Sequence, residues 1–470
     1  MLVAGVDTST QSCKVLVCRA DDGTVVRSGQ APHPDGTSCD PAAWWDAFQL
    51  AAVRAGGLAD VAAISVGGQQ HGMVCLDADG AVIRDALLWN DTRSARAARE
   101  LTDELGAEAW ANAVGSVPVA SYTVTKLRWL ADNEPDNAAR IAAICLPHDW
   151  LTWKMAGAKS LEGLTTDRSD ASGTGYFDAV AGEYRRDLLA HALRIDEADA
   201  ERIILPRVLG PSDAGGSADG VGAPEALLGP GCGDNAGAAL GLGVGPGETW
   251  LSLGTSGVVG AVSDQAWNDA TGTVSGFADA TGRYLPLQVT LNGAPIVDHV
   301  RRLLDVDYSR FAELALEAEP GAGGLVLLPY FGGERTPNLP DATASLHGMT
   351  STNTTPANLA RAAVEALLCL LGVCVDRAAG HGEITRVLLV GGGAKSEATR
   401  RIAPSVLGRP VDVPPDGEYV ARGAARQAAW ALEGGAEPPG WPLGDMRRYE
   451  AEHAPSILGR YREVFASQSW

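Results

Sequence analysis

Lysine is nearly absent from this chain of 470 residues: Lys14, Lys126, Lys154, Lys159 and Lys395 are its only five. Codon preference is enough to account for the scarcity, so the informative question is where the five fall. Positive charge is short overall, with 37 Lys+Arg against 58 Asp+Glu and a net charge of −21. That balance excludes a strongly basic nucleic-acid surface. Long apolar runs are missing too. The longest, Ala366 to Val375, is too short to span a bilayer. The opening MLVAGVDTST lacks the basic stretch and cleavage site of a secretory leader. A cytoplasmic location with no membrane partner is therefore expected. Cys-x-x-Cys and paired Cys/His spacings are also lacking. The eight cysteines lie scattered among apolar neighbours and read as reduced core residues.

What the chain does have is apolar mass and glycine. Hydrophobic residues make up 46% and charged residues 20%, proportions of a folded rather than a disordered chain. The length exceeds what one core usually supports, so at least two domains are expected. There are 57 glycines, where average usage would give roughly 33, and they follow no collagen-like or linker period. Many turns must use positive φ or let a ligand approach the backbone.

The pattern of elements repeats. Leu2–Asp7, Lys14–Arg19 and Thr24–Arg27 read as a tight meander, with a helix opened by Asp40-Pro41 behind it. Val61–Val66 is a β-branched run. A second hairpin is expected over Met73–Leu76 and Val82–Trp89, mostly helical sequence over 94–205, and a loop-rich stretch from Pro206 to Pro230. Glu248–Leu253 and Val258–Val262 then echo the opening hairpin, and a helix from Pro356 leads to strand Arg386–Val390. Helices over Ser396–Leu407 and from Tyr419 follow. Two related α/β halves result, with the joint in the small-residue segment Asn235–Gly247.

Three turns rich in Gly or hydroxyl groups follow strands: Asp7–Ser12 with Lys14, Leu253–Gly257, and Gly391–Ser396. Short side chains there let successive N–H groups converge on phosphate; each turn alone is also an ordinary hairpin. Gly391–Ser396 is not a Walker A loop, because Ala394 stands where glycine must precede the lysine. Gly231-x-Gly233-x-x-Ala236 is not a dinucleotide fingerprint, since it follows Leu228-Gly229-Pro230 rather than a strand. Asp234 stands out as a carboxylate in a glycine loop with no lysine or arginine nearby in sequence. It is either a turn former or a carboxylate that another molecule can approach closely. Asp7, at a strand end ahead of a phosphate turn, suits Mg²⁺, a hard cation usually held by one or two carboxylates plus phosphates, or else caps the turn. Gln69-Gln70-His71-Gly72 and Trp89-Asn90-Asp91-Thr92-Arg93 place polar groups beside aromatic surface, as a sugar requires. His71 is equally readable as a structural histidine.

These segments together resemble the FGGY carbohydrate kinases of the actin/hexokinase/Hsp70 superfamily. The likeness is carried nearly end to end by GVDTSTQSCKVLV, ISVGGQQHGMVCLD with LLWNDTR, KLRWLADNEP, TTDRSDASGTGYFD (Thr165–Asp178), GCGDNAGAALGLG, ETWLSLGTSGVV, PYFGGERTPNLPDA, LLVGGGAKS and GAARQAA. The resemblance implies an α/β chain of two actin-like (ribonuclease H-like) domains facing across a cleft. They are expected over 1–245, with the sugar, the first phosphate hairpin and the base, and over 246–470, with the second hairpin and adenosine. It implies ATP-dependent phosphorylation of a sugar, D-xylulose first, with ribulose, fuculose, gluconate or glycerol as alternatives. A non-enzymatic actin/Hsp70-like nucleotide switch is the reading from another class. By position, Asp234 matches the general base and Asp7 the carboxylate that organises Mg²⁺. Gln70, His71, Trp89, Asp234 and Asn235 fall on the sugar side. Thr10 and Lys14 fall in the first phosphate hairpin, Gly254, Thr255 and Ser256 in the second, and Gly392, Gly393, Lys395 and Ser396 on the adenosine side. The implied partners are sugar and ATP, with homodimerisation left open.

Overall fold

The computed structural model describes residues 1–379 and 382–469. Chain contacts divide it into two compact units. Unit 1 comprises Met1–Gly243, Asp264–Leu285 and Gly417–Pro442; unit 2 comprises Val244–Ser263, Pro286–Asp416 and Leu443–Trp470. The first break falls between Gly243 and Val244, and the units are not contiguous in sequence. Two later segments return to unit 1, the second for a packing reason given below.

In unit 1, β1 (Leu2–Thr8), β2 (Ser12–Arg19) and β3 (Val25–Pro32) form the expected antiparallel meander. α1 (Pro41–Arg54) begins where Asp40 accepts a hydrogen bond from Ala42 N, and buries Trp44, Phe48, Ala51 and Ala52. β4 (Ala63–Gly68) then lies parallel to β1. The second hairpin forms only as isolated bridges, Met73↔Leu87 and Leu76↔Val82. Val74–Leu76 instead pairs with Ala143–Cys145, because these apolar segments bury better against each other than against the polar turn at 77–80. The segment expected to be loop-rich also carries strands: β5 (Ala223–Leu228) joins the parallel side of the sheet at β4, with Gly216–Ala218 beyond it. Its burial alternates only partly, which is why its sequence does not announce a strand.

Unit 2 repeats the plan. β6 (Glu248–Leu253) pairs antiparallel with β7 (Gly257–Ala261), which pairs with β8 (Tyr284–Thr290). α2 (Pro356–Ala378) is followed by β9 (Arg386–Val390), parallel to β6. Beyond α3 (Glu397–Leu407), β10 (Val411–Val413) runs parallel to β9. The strand orders β3-β2-β1-β4-β5 and β8-β7-β6-β9-β10 are the same, with the same directions. This is the ribonuclease H-like order of the expected actin-like class. α2 is long and apolar enough to cross a membrane by composition, yet most of it is buried in the core of unit 2.

α4 (Tyr419–Glu433) accounts for the return of the segment Gly417–Pro442 to unit 1. Its alanines Ala421, Ala425, Ala428 and Ala429 pack on Val3, Leu16 and Ala63 of the first sheet. The approach is backbone to backbone: a Cβ on Gly5 would lie 1.9 Å from Ala421 O and 2.3 Å from Ala425 N. A Cβ on Gly423 would lie 1.9 Å from Gly237 O. All eight cysteines are buried thiols, as expected. Gly5→Ala should therefore destabilise unit 1 by about 2–3 kcal/mol, the cost of overpacking a rigid core. An unchanged urea midpoint would show that α4 can move away at no cost.

Candidate active site

Unit 1 gathers eight of the sequence-nominated residues around the C-terminal ends of β1 and β4. Asp7 is the penultimate residue of β1, paired across the sheet with Lys14 on β2 and Gly67 on β4. It is only 2% exposed. Burial pushes its carboxyl up to about 6, against a hydrogen bond from Ser9 Oγ and the charge of Lys14. Lys14 Nζ stands 3.7 Å from Asp7 Oδ2 and 2.6 Å from Glu418 Oε2. Burial works against the ammonium, but these two carboxylates hold its pKa above the ordinary lysine value. Thr10 Oγ1 accepts a 2.7 Å hydrogen bond from Trp89 Nε1, which ties the first hairpin to the Trp89–Arg93 turn.

The loop that carries Asp234 is strapped to the end of β4. Gly231 N donates to Ser65 Oγ at 3.2 Å, and Cys232 and Gly233 pair with Gly67 and Gly68. Gly233 leaves room for the Gln70 side chain, which a Cβ would meet at 2.7 Å. Asp234 then opens a nine-residue helix, Asp234–Leu242, and its Oδ1 accepts from Asn235 N at 2.8 Å and Asn235 Nδ2 at 2.9 Å. Burial first, and the charge of Asp7 second, push its carboxyl up to about 7. The sequence had shown no charge near Asp234; folding brings in Asp7, from 227 positions earlier in the chain. A base poised near neutrality is what proton abstraction at neutral pH needs.

His71 has a left-handed backbone, φ 71°. Its ring lies against Tyr122 and Phe277, with centroids 4.8 and 5.5 Å away. Nδ1 is 2.6 Å from Gly173 O, a carbonyl oxygen, so Nδ1 carries a proton toward it. Lys126 is fully buried and donates to His71 O at 3.1 Å and to Ser121 O. Burial brings its pKa down to about 7 despite the charge of Asp91. Gln70 holds Ser169 O through Nε2 at 3.2 Å and receives Asn235 Nδ2 on Oε1 at 3.3 Å.

The other nominated residues lie in unit 2. Gly392, Gly393, Lys395 and Ser396 line one pocket of about 750 Å³ whose apolar wall includes Val297, Phe311, Leu316 and Leu367. Ser396 caps α3, accepting from Thr399 N at 3.4 Å, and Lys395 pairs with Asp416 at 3.0 Å. Gly254, Thr255 and Ser256 form the β6–β7 turn and are not among the residues that line this pocket. Sequence reading missed Glu418, which lies 404 residues from its partner Lys14. It also missed the apolar pocket wall, whose residues sit on helix faces like any core residue.

Family comparisons bear directly on this arrangement. The FGGY carbohydrate kinase N-terminal domain matches residues 2–227, and the C-terminal domain matches residues 250–432. This chain belongs to the FGGY family of carbohydrate kinases. The kinase is 48% identical over 447 residues to a xylulose kinase of Streptomyces coelicolor, covering 92% of this chain and 88% of the relative. It is 46% identical over 470 residues to a xylulose kinase of Streptomyces rubiginosus, with coverages of 97% and 92%. The crystal structure of xylulose kinase from Bifidobacterium adolescentis superposes with a TM-score of 0.94 at 54% identity over 99% of each chain. These structural relatives share the two-domain actin-like fold expected from the sequence.

The raised carboxyl of Asp234 has a consequence for stability. Its folded pKa of about 7 exceeds the ordinary 3.8, so the ionised form costs stability, fully above pH 7 and not below about pH 4. Asp234→Asn should raise the melting temperature of this kinase at pH 8 by several degrees, with the gap closing as pH falls toward 4. An equal shift at both ends would show that the carboxylate is not strained.

Proposed function

We propose that this kinase transfers the γ-phosphoryl group of ATP to D-xylulose, giving D-xylulose 5-phosphate and ADP. The sugar assignment is supported by the xylulose kinases to which the chain is nearly half identical over most of its length. The observation that carries the mechanism is Asp234: a carboxylate with a pKa near 7, oriented by Asn235 and backed by the amide of Gln70.

The sugar 5-hydroxyl attacks the γ-phosphorus. An oxygen–phosphorus bond forms, the bond from phosphorus to the bridging oxygen of ADP breaks, and the hydroxyl proton passes to Asp234. Little covalent work falls to the protein, so alignment and charge stabilisation set the rate. His71, Gln70, Trp89 and Asn235 orient the sugar. Thr10, Lys14 and the Gly254–Ser256 turn receive phosphate oxygens, and the pocket at Gly392, Gly393, Lys395 and Ser396 receives adenosine. Lys14 exchanges Glu418 for phosphate as the nucleotide arrives.

The residues at the first hairpin suit Mg²⁺. Asp7 offers hard oxygen donors, Thr8 Oγ1 is buried with no hydrogen-bond partner among the described residues, and Asp7 and Asp234 together leave negative charge uncompensated. Asp7 would hold the ion, which when bound neutralises charge on the phosphate oxygens. The reading includes a cytoplasmic location, where ATP and free sugar are both available.

Asp234→Asn should lower turnover by about 10² or more while leaving ATP affinity nearly unchanged. Undiminished sugar-dependent ADP release would remove Asp234 from the mechanism. In the native enzyme kcat/KM should fall as pH drops through about 7, because only the ionised carboxyl accepts the proton. A coupled ADP-release assay across D-xylulose, D-ribulose, L-ribulose, L-xylulose, glycerol and gluconate tests the substrate. Activity confined to another sugar would overturn D-xylulose and keep the reaction class.

A further inference from the structure

The mechanism above leaves the Thr165–Asp178 motif unused, yet it surrounds the most deeply buried charge cluster in unit 1. His148 and Asp170 are 0% exposed, Asp149 1% and Asp167 3%. His148 Nδ1 lies 2.7 Å from Asp149 Oδ1 and 3.1 Å from Asp170 Oδ2, while Nε2 lies 3.7 Å from Asp167 Oδ1. Burial alone would strip the imidazole of its proton. Asp149 and Asp170 outweigh it and hold the ring as an imidazolium.

The cluster sits directly beneath the loop that carries Asp234. A Cβ on Gly231, whose φ is +85°, would lie 2.4 Å from His148 Cδ2, and one on Gly68 would lie 2.8 Å from His148 Cβ. Asp167 accepts from Ser169 N at 2.8 Å and Asp170 N at 2.9 Å, which shapes the single turn Arg168–Ala171. Ser169 then serves the site twice. Its Oγ accepts from Gly233 N at 3.0 Å and its carbonyl accepts from Gln70 Nε2 at 3.2 Å. Gly233 immediately precedes Asp234, and Gln70 holds Asn235, which holds Asp234.

We infer that His148 is a positioning residue for phosphoryl transfer: clamped between Asp149, Asp167 and Asp170, it fixes the Arg168–Ala171 turn, and Ser169 of that turn places Gly233 and Gln70 beside Asp234. The inference rests on the reading of Asp234 as the base. His148, Asp149 and Asp170 also have the composition of a metal-ligand set. The 2.7 Å between Nδ1 and Asp149 Oδ1 is an ion-pair contact, in which neither ring nitrogen of His148 meets hydrogen-bond geometry among the described residues. Tetrahedral ligand atoms about 2.1 Å from a zinc ion would stand about 3.4 Å apart.

Removing His148 alone strands buried carboxylates and invites unfolding, so the test uses two other variants. His148→Asn/Asp170→Asn removes one cation and one anion together, and Ser169→Ala breaks the link to Gly233 N while leaving every charge in place. Each is expected to melt cooperatively near the native temperature, to lose about tenfold or more in kcat, and to keep KM for ATP within about twofold. Native kcat in either folded variant, or a loss of ATP affinity as large as the loss of kcat, would overturn the inference. So would a stoichiometric metal in the purified native kinase that is absent from the double variant. If the double variant does not fold, Ser169→Ala decides. Turnover retained by Asp234→Asn marks failure of the base assignment; native turnover in the His148 and Ser169 variants with an inactive Asp234→Asn marks failure of this one.

Discussion

The contact on which unit 1 depends is the seating of helix Tyr419–Glu433 against strand Leu2–Thr8, with Gly5 bare beneath Ala421 and Ala425. Main chain touches main chain there, and nothing larger than hydrogen fits between. Two residues along the strand from Gly5 is Asp7. One residue before the helix is Glu418, which reaches Lys14 opposite Asp7. The closeness of helix and strand therefore sets the charge balance around the Thr8–Ser12 turn as well as the core. On the other face Gly29 plays the same part, since a Cβ there would lie 2.1 Å from Ala51 O in the helix Pro41–Arg54. A sheet clamped so closely from both sides gives strand ends little freedom, and the strand ends are where the chemistry is assembled.

Electrostatics at those ends are arranged for function at some cost to stability. Asp7 and Asp234 are brought together without enough positive charge to satisfy both, and each is held above its ordinary pKa. Beneath them, the imidazolium of His148 offsets a separate group of carboxylates. The acidic residues are thus layered, with a compensated group around His148 and an under-compensated one at Asp7 and Asp234.

Much of this was legible in the sequence, for identifiable reasons. The opening meander, the helix capped by Asp40 and the repeat beginning at Glu248 each rest on local chemistry: alternation, turn residues and a cap. The second hairpin failed because Val74–Leu76 found a better apolar partner at Ala143–Cys145, about 70 residues away. Strand Ala223–Leu228 was missed because its alternation is interrupted by Pro224 and Glu225. Asp234 was legible as a lone carboxylate in a glycine loop. Glu418, Lys126 and Ser169 were not, because each acts through partners far away in sequence. Glycines 231 and 233 of the Asp234 loop looked open to a ligand; the space beside each is taken by protein, His148 for the first and Gln70 for the second.

The distribution of unit 1 along the chain also bears on its biosynthesis. Residues 264–285 and 417–442 belong to it, so its sheet stays uncovered on one face until residues 417–442 have left the ribosome. Until then Val3, Leu16, Cys18 and Ala63, which the late helix covers, face solvent or a chaperone. Unit 2 draws most of its core from the stretch between Pro286 and Asp416, but its sheet takes a further strand from Arg447–Tyr449 and its core takes Ile457 and Tyr461 from the helix Pro455–Ala466. A nascent chain that has emerged only as far as Asp416 therefore completes neither unit, and a ribosome stalled there would carry both unfinished.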